Sequence, residues 1–130
     1  MLNHWGVTKL AKFEYEESID EMKHADKLAE RILFLDGLPN FQLLGRLKIG
    51  ENVEEVLKAD LALEEEAIPV LREGIAHCES VRDYISRELL EGILANEEEH
   101  VDTLERQFDM IRNMGLQNYI QLQSEPAEES

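Results

Sequence analysis

A chain of 130 residues, 43% of them hydrophobic, is sized for a single domain with a buried core. Its 29 acidic against 13 basic side chains give a formal charge of −16, which repels phosphate backbones and anionic membrane surfaces and argues against nucleic acid or membrane as partners. The lone cysteine, Cys78, excludes an internal disulfide, the opening residues lack the basic and apolar regions of a signal peptide, and no apolar run reaches the roughly 20 residues of a membrane span, so a cytoplasmic protein is expected.

From Thr8 to Leu35, Leu10, Phe13, Ile19, Met22, Ala25, Leu28, Ile32 and Leu35 recur at helical spacing among charges, which predicts one long amphipathic helix. Gly6 precedes it and Asp36-Gly37-Leu38-Pro39 stops it. The stretch from Asp36 to Gly50 is too apolar for a solvated linker. Extended, its residues reach about 45 Å, enough for a crossover joining two parallel helices end to end. A second helix is predicted from an Asn52 cap, with Glu54 and Glu55 in its first turn, to Cys78. Pro69 predicts a kink between Glu65 and Pro69 rather than two helices. A third helix, capped by Ser80, runs to Asn113 and stops at Gly115. Residues 116–123 read as a short last helix, and Ser124 to Ser130 as a polar, disordered tail. Good helix formers dominate and Pro and Gly are sparse, so the class is all-α. Three long helices are an awkward number, because an antiparallel bundle with one crossover closes with four.

Two short sequences carry chemistry: Glu21-Met22-Lys23-His24 and Glu97-Glu98-Glu99-His100. In each Glu-x-x-His, positions i and i+3 lie one turn apart on one helix face, so carboxylate and imidazole can converge on one cation. Alone, either pair is a solvated charge beside a structural histidine. Together they match di-iron carboxylate bundles, where two helices each supply Glu-x-x-His and the other two each supply one Glu. Glu64 is the candidate on the middle helix. It follows Leu57 and Leu61 on the apolar face, whereas Glu65 and Glu66 point about 100° and 200° away. Oxygen and imidazole donors without thiolate suit iron or manganese, with zinc competing.

At these residues the chain resembles bacterioferritin, from Trp5-Gly6 through Gln117-Asn118-Tyr119. The most specific stretches run from Glu17 to Asp26, from Ile32 to Asn40, and from Gly115 to Tyr119. The resemblance implies a ferritin-like antiparallel helical bundle with a long crossover and a short C-terminal helix over residues 1–123, its first helix largely absent. It implies Fe(II) oxidation by dioxygen or peroxide at a di-iron site, with the ferric mineral stored in a hollow 24-subunit shell built from dimers that share haem b. By resemblance, Glu21 and Glu97 bridge the two irons, His24 completes one shell, Glu64 and His100 complete the other, and Met22 is the haem ligand. A ferredoxin-type reductant is the implied partner for iron release. The family's first helix carries one more iron-binding Glu, and this chain begins at that helix's final turn, with Met1 as a mis-assigned or alternative start. Five of six ligands remain. The family's inner-surface iron site takes a His and an Asp where this chain has Glu16 and Asp20. Without the first helix, on the order of 1,000 Å² of apolar surface is uncovered, so poor folding in isolation or cover by oligomer contacts is expected. Competing readings are a ferritin-like peroxidase or oxidase that stores nothing, and a defective subunit that binds haem or joins a mixed shell without oxidising iron.

Overall fold

A computed structural model describes residues 8–35, 37 and 52–124. It contains four helices and, among the described residues, no strand: α1 (Thr8–Phe34), α2 (Val53–Ser80), α3 (Tyr84–Met114) and α4 (Leu116–Ser124).

α1 starts where the periodicity places it and ends one residue short of Leu35. There the amides of Leu35 and Gly37 donate back to the carbonyls of Arg31 (3.1 Å) and Ile32 (2.8 Å). A Cβ at Gly37 would lie 2.8 Å from Ile32 Cγ2, so this stop requires glycine. Apart from Gly37, the crossover expected from Asp36 to Gly50 lies outside the described residues. α2 opens on the expected cap, the Asn52 side chain accepting from the Glu55 amide at 3.0 Å, with Glu54 and Glu55 at the positive end of the helix dipole. It runs unbroken through Pro69. Glu65 and Pro69 both lie on its exposed side, where water can solvate the carbonyl that proline leaves unbonded.

The expected cap of α3 is corrected. Ser80 is the last residue of α2, and its hydroxyl is used locally, donating to the His77 carbonyl at 2.6 Å. Arg82 turns the chain at φ 61°, and Asp83 caps α3 instead, accepting from the Ser86 amide (3.1 Å) and hydroxyl (2.6 Å). Gly115, at φ 82°, ends α3 as expected and donates to the Ile111 carbonyl at 2.8 Å. α4 extends to Ser124, one residue into the expected tail; the remaining tail residues lie outside the described ones.

The short turn makes α2 and α3 antiparallel, and they pack along their length. Arg31, near the end of α1, donates to Asp83 Oδ1 and Ser86 Oγ at the start of α3, each at 2.9 Å. Leu10, near the start of α1, joins Leu104 of α3 in the core. α1 is therefore antiparallel to α3 and parallel to α2; its backbone packs against α3 and α4. The core cluster is Leu10, Val53, Leu57, Leu104 and Tyr119, drawn from all four helices at one end of the bundle. Much apolar surface stays uncovered elsewhere, including Tyr15, Leu33, Phe34, Val70 and Ile85, each more than half exposed.

Candidate metal centre

Beyond the apolar end, the interior turns polar. Among the buried residues of the described chain are Glu64 (9% exposed), Glu97 (3%) and His100 (6%). Each stands in register with the core. Glu64 follows Leu57 by seven residues, and His100 precedes Leu104 by four, so both continue the stripe that α2 and α3 turn inward. From α1, Glu21 and His24 reach the same place. Glu21, Glu64, Glu97 and His100 each offer one ligand atom within 4.8 Å of the others. His24 joins them, its Nδ1 being 3.1 Å from Glu97 Oε1 and 3.8 Å from Glu21 Oε1. His100 Nδ1 lies 3.5 Å from Glu64 Oε1 and 3.6 Å from Glu97 Oε2. Three helices thus bring together all five residues singled out in the sequence, with Glu21 on the open side, its side chain 51% exposed.

The electrostatics show what this arrangement costs without a cation. Burial, and the adjacent Glu97 carboxylate, push Glu21 up to about 8. Burial works the same way on Glu97, but the His100 and His24 imidazoles beside it override that and hold it well below the usual carboxylate range. Glu97 in turn raises His100 to about 9 against the opposing effect of burial. The metal-free cluster is held by protons that a divalent cation would displace. His24 Nδ1, His100 Nδ1 and Glu64 Oε2 are buried without a hydrogen-bond partner, and such atoms are stable when they ligate. Carboxylate oxygens and imidazoles without thiolate fit iron or manganese.

Residues 1–114 match the ferritin-like domain family. The chain is 48% identical over 130 residues to a bacterioferritin of Brucella melitensis, covering all of this chain and 81% of that one. A bacterioferritin of Streptomyces coelicolor is 48% identical over 91% of this chain and 71% of its own, and one of Mycobacterium bovis 45% over 92% and 75%. This chain belongs to the bacterioferritin family.

The bacterioferritin resemblance also pointed to Met22, and it set Glu16 and Asp20 where the family's inner-surface iron site has a His and an Asp. Met22 is not in the cluster. It is 58% exposed, on the same outward face of α1 as Tyr15 seven residues earlier. Glu16 and Asp20 line an open pocket between α1 and α3, together with Glu17 and Glu99, and His100 forms part of its wall. Asp20 Oδ2 is 3.6 Å from His100 Nε2.

A second carboxylate group, Glu14, Glu17 and Asp60, escaped the sequence reading. Burial, then the adjacent Asp60 side chain, raise Glu14 to about 10, and burial raises Asp60 as well. Burial also raises Glu17 to about 7, with His100, 3.7 Å away, pulling the other way. The available signal was spacing: Glu14 precedes Glu21 by seven residues, and Asp60 precedes Glu64 by four. No described helix is long and apolar enough to cross a membrane.

Proposed function

We propose that this chain oxidises Fe(II) to Fe(III) at the Glu21, His24, Glu64, Glu97 and His100 cluster and stores the product as a ferric mineral in the cytoplasm. The observation that carries this reading is the convergence of three carboxylates and two imidazoles from three helices, with both Nδ1 atoms buried and facing carboxylate oxygens at 3.1 Å and 3.5 Å. Fe(II) is the substrate. Two ferrous ions each give up one electron, and dioxygen takes both electrons with two protons and leaves as hydrogen peroxide. The protein supplies geometry and charge. Glu21 and Glu97, which lie near both imidazoles, would bridge the ions, while His24 would serve one and Glu64 with His100 the other. As cations enter, His100 and Glu21 release the protons they hold in the metal-free state.

Assembly into a hollow 24-subunit shell, haem b shared between two copies, and a ferredoxin-type reductant for iron release complete the proposal. Met22 offers an exposed thioether on the outer face of α1, which would hold a haem iron together with its counterpart in a second subunit. The exposure of Glu21 favours a second reading, in which the chain binds haem or joins a mixed shell without oxidising iron. Stopped-flow absorbance after adding two Fe(II) per chain in air separates the two, run on the protein and on Glu97→Ala. A fast phase abolished by the substitution is expected; no fast phase in either protein would leave the structural reading.

A further inference from the structure

α1 supplies Glu21 and His24 to the cluster, yet its backbone packs against α3 and α4 rather than against α2, the helix that supplies Glu64. Besides the carboxylate and imidazole contacts along its middle, two described contacts hold its ends. Near its end, Arg31 is bonded to Asp83 and Ser86. Near its start it meets α4, a helix of nine residues and too short to be stable alone. Tyr119 is the only buried residue of α4 and is 0% exposed. Its ring shares one layer with Leu10, Leu57 and Leu104. Its hydroxyl donates to Gln107 Oε1 of α3 at 2.8 Å.

The layer is in register with the ligands. Leu10, Glu17, Glu21 and His24 follow one another by seven, four and three residues along one face of α1. Glu21 therefore sits about 16 Å from the Leu10 layer, at 1.5 Å per residue, between that layer and the Arg31 anchor. With Tyr119 gone, α1 would keep its Arg31 anchor and swing about it, moving Glu21 and His24 away from α3 while leaving the α2–α3 pair intact.

We infer that Tyr119 is a positioning residue for the metal centre: it locks α4 between α1 and α3, and this lock holds Glu21 and His24 over Glu97 and His100. The inference rests on the metal-centre reading above for what is positioned, though the lock itself is a matter of packing.

The test uses nitroxide labels in a Cys78→Ser background. One pair replaces Lys12 and Glu105, near the lock, and a second replaces Lys27 and Glu88, near the Arg31 anchor; all four are exposed. Tyr119→Ala should broaden and lengthen the distance distribution of the first pair and leave the second unchanged. Co(II), as an optical probe, should bind Tyr119→Ala about 10-fold more weakly, with the spectrum of His24→Ala, because the α1 imidazole is withdrawn. Tyr119→Phe, which keeps the ring, should stay within about 3-fold of the parent on the same reasoning. An unchanged first pair in Tyr119→Ala overturns the lock, as does equal broadening of both pairs with loss of helical signal, which would make Tyr119 a support for the whole bundle. If the first pair moves as expected but the parent binds no Co(II), the lock stands and the metal-centre reading falls.

Discussion

The two ends of one helical stripe behave oppositely. Toward its Leu10 end, α1 joins α2, α3 and α4 in an apolar layer closed by Tyr119, where burial itself is stabilising. One to three turns along, the same inward faces carry Glu21, Glu64, Glu97 and His100, where burial is unfavourable unless each charge finds a partner. The first region gives the bundle its structure; in the second, protons or cations are needed to offset the buried charge. Four predictions bear on this contrast.

The largest effect should come from Glu97, which faces both imidazoles. Glu97→Ala should slow Fe(II) oxidation by at least about 100-fold, since even outer-shell changes at metal sites cost 10- to 100-fold. Retention of the fast phase would move the chemistry elsewhere. In the apolar layer, Leu57→Ala should cost about 3 kcal/mol of stability. Urea unfolding at several Co(II) concentrations would check this, and the loss should be the same with and without metal.

The polar region should instead respond to pH. The folded-state pKa values of Glu21 (about 8), Glu17 (about 7) and His100 (about 9) lie above their unfolded values. Groups raised in this way stabilise the fold below their unfolded pKa, and that contribution is lost as pH rises through the folded pKa. The metal-free protein should therefore lose stability steadily from about pH 5 to pH 9, and bound Co(II) should flatten or reverse the slope, because the ligands are then deprotonated already. Urea midpoints across this range decide it; a metal-free stability that rises over the window would contradict the assigned protonation states. The smallest effects concern the turn before α3. Asp83→Ala should cost about 1 to 2 kcal/mol through the lost cap, while Ser80→Ala should stay within about 0.5 kcal/mol. Equal losses would restore Ser80 as the cap.

Periodicity made the helices legible because it is local: each long helix turns one stripe inward, and Glu64 could be told from Glu65 and Glu66 by its spacing from Leu57 and Leu61. Both Glu-x-x-His pairs were legible for the same reason. The α3 cap was misread because Ser80 and Asp83 are both good caps, and the choice depended on Arg31, which lies 52 residues from Asp83 and bonds to it. Glu14 and Asp60 were passed over because, in a chain with 29 acidic side chains, nothing marks a carboxylate as buried until its neighbours are known.

By itself, the sequence determined the helices, their inward faces and the five residues that could hold a metal, since each follows from turns of about 3.6 residues along one segment. Only the tertiary structure decided that α1 leans on α3 and α4 rather than α2, that Glu14 and Asp60 lie side by side, and that Tyr119 bonds to Gln107. Those are distances between helices, and they follow from how side chains of separate segments fill a common space.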